Sequence, residues 1–266
     1  MTSTTTSPAD SAVTQDGDVL VLRISDAGKG GALDDASLKS ATTALREIAR
    51  GEREVGAILL LGAGRNFCAG GNVRDFASAE HRPTFIRALA DTFHDFVTAL
   101  LDADRPVVAG VRGWAAGAGL SIVLHADIAI GGPSTNLRPA YTGIGLSPDG
   151  GMSWRLPRAI GPAAARAFIL GNEPVDGARA YGIGLLTTYT EEDVSTTARA
   201  LAVRLAAGPR ASYAATKELL RRSGERTLAQ QLDAERDAIA ALAVSPDGIE
   251  GVDAFVAKRT PRFGGA

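Results

Sequence analysis

A single cysteine, Cys68, and three histidines, His81, His94 and His125, stand in a chain of 266 residues. One thiol permits no intramolecular disulfide, and no histidine lies at ligand spacing from another, so a disulfide scaffold is excluded and a zinc site is disfavoured. Charge of one sign is lacking too: 28 Lys and Arg against 30 Asp and Glu leave a net charge of −2. That balance removes the basic footprint of a nucleic-acid binder and the polybasic patch of a membrane anchor. No apolar run approaches the roughly 18 residues of a membrane span. The N-terminal MTSTTTSPADSAVTQDG has no apolar signal core. These absences predict a cytoplasmic protein with residues 1–17 as a disordered leader.

What is present is a globular composition, 45% hydrophobic and 22% charged. DVLVLRIS (18–25), VGAILLLGAG (55–64), VVAGV after Pro106 and DIAIGG (127–132) read as buried strands. Between them, Leu38, Ala41, Leu45 and Ile48 fall at helical spacing, and Phe85, Leu89, Phe93, Phe96, Val97 and Leu100 make one face of a long helix. Strands separated by helices imply parallel pairing, hence an α/β fold. Beyond about residue 190 the segments 192–207, 210–222, 227–243 and 247–258 are alanine-rich and helical. Such faces make a poor core alone and are expected to pack on the body or on another subunit.

Chemistry is expected in three glycine-rich segments, FCAGGN (67–72), GWAAGAGL (113–120) and GIGLSPDGG (143–151), each beside a predicted strand. Small residues there let backbone N–H groups approach a ligand and face a developing oxyanion. Other glycine-loop chemistries fail on spacing. Gly117-Ala118-Gly119 has no third glycine for a dinucleotide fingerprint, and no phosphate loop is present. The GxSxG nucleophile pattern breaks at Asp149, and a proline follows Ser147 directly, so Ser147 is discounted as a nucleophile.

AILLLGAGRNFCAGGNVRDF (57–76), PVVAGVRGWAAGAGLSIVLHADIAI (106–130) and YTGIGLSPDGGMSWRLPRAIG (141–161), in that order, resemble the enoyl-CoA hydratase/isomerase, or crotonase, superfamily. The resemblance runs from about residue 18 to the C-terminal EGVDAFVAKRTPRFGG (250–265). It implies a spiral of β-β-α repeats over 18–195 with a CoA-thioester site, and a helical trimerisation region over 196–266, in a homotrimer or homohexamer. It also implies an acyl-CoA substrate, no metal, and no cofactor beyond the substrate's own coenzyme A.

In the resembling enzymes two backbone amides stabilise a thioester enolate, and the matching positions here are Ala69 and Ala118. The two glutamates of the hydratases are missing, because their positions hold Ser121 and Tyr141. A hydroxyl and a phenol cannot activate water and deliver a proton as paired carboxylates do at neutral pH. Asp149 stands where isomerases of the superfamily carry an acid/base aspartate, and also where 4-chlorobenzoyl-CoA dehalogenases carry a nucleophile; its alternative role is a plain N-cap or turn residue. One carboxylate suffices to move a proton between two carbons, so acyl-CoA isomerisation leads. Hydration, aspartyl-ester chemistry and a non-catalytic acyl-CoA-binding paralogue remain as rivals.

Substrate contacts are expected from Ala32, Gly70, Gly71, Asn72 and Gly117 in the matched loops, from Trp114 and Tyr141 as acyl-pocket walls, and from Ser121. Cys68 is expected beside the substrate as a packing residue and not as a nucleophile. Phe255 and Lys258 match positions that reach the CoA nucleotide of a neighbouring subunit. His94 and His125 are assigned no catalytic role.

Overall fold

The computed structural model describes residues 11–264. Strand β1 (Val13–Asp16) pairs antiparallel with β2 (Val19–Arg23), so the ordered chain begins inside the expected leader. Residues 1–10 of that leader lie outside the described residues. The correction has a simple cause. VTQD is too polar to announce itself as a strand, and it forms one only because β2 offers it a free edge.

After β2 come the short strands β3 (Ser25–Asp26) and β4 (Ala32–Leu33), helix α1 (Asp35–Ala49) and β5 (Ala57–Leu61). Asp34 caps α1 by accepting from the Ser37 amide. Helix α2 (Val73–Ser78) and the long α3 (Arg82–Asp102) lead to β6 (Val107–Gly110), β7 (Trp114–Ala116) and α4 (Ala118–Val123). Next are β8 (Ile128–Gly131), β9 (Asn136–Arg138), α5 (Met152–Ile160), α6 (Pro162–Gly171), β10 (Val175–Asp176), α7 (Gly177–Gly182) and β11 (Thr188–Tyr189). Four helices close the chain: α8 (Val194–Ala206), α9 (Arg210–Arg222), α10 (Leu228–Ala243) and α11 (Pro246–Val256).

The larger sheet has the order β1-β2-β5-β6-β8-β11, parallel from β2 onward, and a smaller one has the order β10-β9-β7. Successive turns place one strand in each: β6 then β7, β8 then β9. The turn after β5 joins the smaller sheet only through a bridge from Cys68 to Ala115. This is the β-β-α spiral.

Alternation along the central strands fills two cores. Leu20, Leu22, Ile58, Leu60, Val107 and Ala109 face one side, where Leu45 of α1 and Phe93, Phe96 and Leu100 of α3 cover them. Val19, Val21, Leu59, Val108 and Ile130 face the other, under Val194, Ala198, Ala202 and Ala206 of α8. Strands buried on both faces carry the unbroken apolar runs seen in the sequence. Helix α8 therefore belongs to the body, and the expected division at 195/196 cuts across a core. The tail proper starts at α9, where Lys217 reaches Asp127 and the Arg105 carbonyl, each at 2.6 Å. Among the described residues no helix is long and apolar enough to cross a membrane.

Candidate active site

Three glycine-rich loops converge where the two sheets meet. Cys68 N–H donates to the Trp114 carbonyl at 3.0 Å and the Ala116 amide donates to Cys68 O at 2.9 Å, which locks the first loop to β7. A β-carbon on Gly119 would stand 2.1 Å from Cys68 O, so α4 can start this close to the first loop only with glycine there. The segment before α1 joins from the other side: Ala69 N–H donates to Gly31 O at 2.7 Å, and Leu33 N–H to Gly70 O at 2.8 Å. Ala32 is buried in this seam.

These bonds correct one expectation. The Ala69 amide is committed to Gly31 and is not available to a ligand. Among the described residues, the N–H groups of Gly71 and Ala118 on the two facing loops donate to no backbone carbonyl, a freedom they share with those of Asn72 and Gly119. Ala118 is the first residue of α4, where no intrahelical acceptor exists, and it is buried. Asn72 caps α2 by accepting from the Arg74 amide at 3.2 Å, which gives it a structural duty beside any substrate contact.

Ser121, Tyr141 and Asp149 come together as expected, in an arrangement of their own. The Ser121 hydroxyl donates to the Asp149 main-chain carbonyl at 2.8 Å, and the Tyr141 hydroxyl reaches the same oxygen at 3.5 Å and Ser121 Oγ at 3.4 Å. Burial pushes the Tyr141 phenol up to about 12, so it stays protonated and acts as a donor. Gly150, at φ +60, lets the loop turn here; a β-carbon on it would lie 2.1 Å from the Phe93 ring.

His125 is a buried histidine with both ring nitrogens satisfied, as expected, whereas His94 makes a contact that was not expected. His125 accepts at Nδ1 from the Arg155 guanidinium at 3.2 Å, so its hydrogen is on Nε2, which donates to Gly150 O at 2.9 Å. Burial first, and the Arg155 charge besides, lower its pKa to about 4, leaving the ring neutral. His94 Nε2 lies 2.5 Å from Asp149 Oδ1, across 55 residues of sequence. Neither contact has a sequence signal, because each joins a residue of α3 or of the turn after α4 to a loop from a later turn of the spiral. Asn66 was also invisible in the sequence. It is buried, donates to Gly30 O and accepts from the Trp114 amide, both at 3.1 Å, and so ties three loops together.

Cys68 is fully buried and burial pushes its thiol up to about 12, which fits packing and not nucleophilic attack. Trp114 is partly exposed beside the loops. Phe255 and Lys258 are not brought to the site within one chain: they lie exposed at the end of α11, which packs against α10.

The comparisons agree with this geometry. A sequence model described as enoyl-CoA hydratase/isomerase matches residues 14–266. The chain is 36% identical to the 1,2-epoxyphenylacetyl-CoA isomerase of Escherichia coli, over 78% of this chain and 80% of that one. It is 29% identical to the 2,3-dehydroadipyl-CoA hydratase of the same organism, over 93% and 95%. The crystal structure of an enoyl-CoA hydratase from Polaromonas superposes with a TM-score of 0.88 at 31% identity, covering 95% of this chain and 98% of that one. With the family's motifs in order, its spiral fold and its two facing amide loops in place, this chain is a member of the enoyl-CoA hydratase/isomerase family.

Proposed function

We propose that the protein isomerises an unsaturated acyl-CoA thioester, with Asp149 as the acid/base. The observation that carries this reading is the Ser121–Asp149 bond: the positions expected to hold glutamates are occupied by hydroxyl groups whose hydrogen bonds run to the aspartate's own carbonyl. A single carboxylate is thus held where a pair would otherwise act. Asp149 takes a proton from the α-carbon of a 3-enoyl thioester, and the electron pair moves onto the thioester oxygen. The resulting dienolate oxygen is met by the amides of Gly71 and Ala118, donors whose worth rises as negative charge develops; each contributes about 3 kcal/mol in comparable sites. Asp149 then returns the proton to the γ-carbon and is a carboxylate again. No resident cofactor takes part in these steps.

Trp114 and Tyr141 wall the acyl chain, while Gly70 and Gly117 let the two loops approach it. The apolar side chains that α10 and α11 leave exposed, among them Leu232, Ile239, Val252 and Phe255, favour a homotrimer or a dimer of trimers. In such an assembly Phe255 and Lys258 would serve a neighbouring subunit's CoA nucleotide. The reading places the enzyme in the cytoplasm.

The test is mass spectrometry of 2-enoyl, 3-enoyl and aryl-acetyl CoA thioesters incubated in deuterated water with wild type and Asp149→Asn. Solvent deuterium in the acyl chain without net addition of water, lost in the variant, is the expected result. Net hydration would replace isomerase by hydratase. Tight binding with no exchange on any thioester would point to a binding paralogue.

A further inference from the structure

The Asp149 carboxylate has a partner that the proton transfer above does not use. His94 lies on α3 between the buried Phe93 and Phe96, at the border of the buried face, with its side chain about half exposed (53%). Its Nε2 is 2.5 Å from Asp149 Oδ1. An ionised carboxylate only accepts, so the hydrogen of this bond is on Nε2. Among the described residues, Asp149 Oδ2 has no protein donor.

The aspartate is therefore gripped at two points by different parts of the fold. Ser121 and Tyr141 hold its main-chain carbonyl from the α4 side, with His125 fixing the next carbonyl, that of Gly150. His94 holds one carboxylate oxygen from α3. Fixing the main chain still leaves the side chain free to rotate, and a rotating carboxylate spreads its two oxygens over a cone. The bond to Nε2 removes that freedom.

Resting on the isomerase reading, we propose that His94 is the positioning residue of Asp149: its Nε2–H fixes Oδ1 and thereby reserves Oδ2 as the oxygen that moves the proton between the α- and γ-carbons. Oδ1 remains an acceptor whether Oδ2 is charged or protonated, so the grip persists through the transfer. His94 itself gains and loses no proton in this scheme.

The role has a signature that protein yield and folded fraction do not affect. Each dienolate either regains a proton at the α-carbon, giving exchanged starting material, or takes one at the γ-carbon, giving product. The ratio of the two reports where the carboxylate sits. With 3-hexenoyl-CoA in deuterated water, His94→Ala is expected to lower kcat about 10–100-fold with KM within about twofold, and to shift this ratio toward α-exchange. His94→Gln, which keeps an N–H donor of similar reach, is expected to recover part of both.

An unchanged ratio and kcat in His94→Ala, with wild type active, overturns the positioning role and leaves the isomerase reading standing. A kcat loss in proportion to the folded fraction, with the ratio unchanged, likewise assigns His94 a purely structural part and overturns it. A wild-type enzyme that neither exchanges nor isomerises, or that carries a covalent acyl adduct on Asp149 in intact-protein mass spectrometry, overturns both.

Discussion

The Ser121 hydroxyl donates to the Asp149 carbonyl at 2.8 Å, joining the first turn of one helix to the loop before another across 28 residues. Ser121→Ala deletes the shorter of the two hydroxyl contacts on that oxygen and leaves the longer one from Tyr141. The expected outcome is a stability loss of about 1 kcal/mol and a roughly threefold to tenfold fall in kcat, read from denaturant titration and thioester turnover.

His125 ties stability to acid. Its folded pKa, about 4, lies below the ordinary histidine value, so between that value and 4 the unfolded chain binds more protons than the native one. Stability is therefore full above about pH 6.5 and falls as pH drops toward 4, by roughly 3 kcal/mol if this group acts alone. Equilibrium unfolding of wild type and His125→Gln across that window checks it; the variant is expected to show a shallower dependence.

Cys68 should be silent in the folded protein. Its thiol is buried and pushed up to about 12, so Ellman's reagent near pH 8 is expected to leave it unmodified in native protein and to titrate the single thiol in denaturant. Ready labelling of the native protein would place Cys68 in an open, electropositive setting that the fold does not provide.

Gly150 sits at φ +60 with the Phe93 ring in the space a methyl group would need. Gly150→Ala is expected to destabilise by about 1–3 kcal/mol and to reduce turnover by displacing Asp149. Adding Phe93→Leu is expected to return part of the stability, since the ring clash is relieved while the backbone strain remains. A double-mutant cycle followed by thermal unfolding measures that coupling.

The long apolar runs of β2, β5, β6 and β8 were legible because both faces of each strand are covered, and α1 and α3 because their buried residues keep helical spacing. Strands of two or three residues, such as β9, β10 and β11, carry too few side chains to show a period. At the site, Ser121, Tyr141 and Asp149, which the resemblance named, lie within hydrogen-bond reach of one another. The resemblance misassigned the Ala69 amide, since which N–H stays free is decided by the pairing of Gly31 with the first glycine loop. His94 was given no role because an isolated histidine on an apolar helix face looks the same whether or not a carboxylate arrives 55 residues later.

Helix α8 covers one face of β2, β5, β6 and β8 in the large sheet, and Gly56, at the mouth of β5, has the Ala206 carbonyl where its β-carbon would be. During synthesis, Val19, Val21 and Leu59 therefore emerge from the ribosome well over a hundred residues before the helix that shields them. Until α8 arrives, the nascent chain presents a greasy β-surface to its surroundings, a window in which chaperone capture and self-association compete with completion of the spiral.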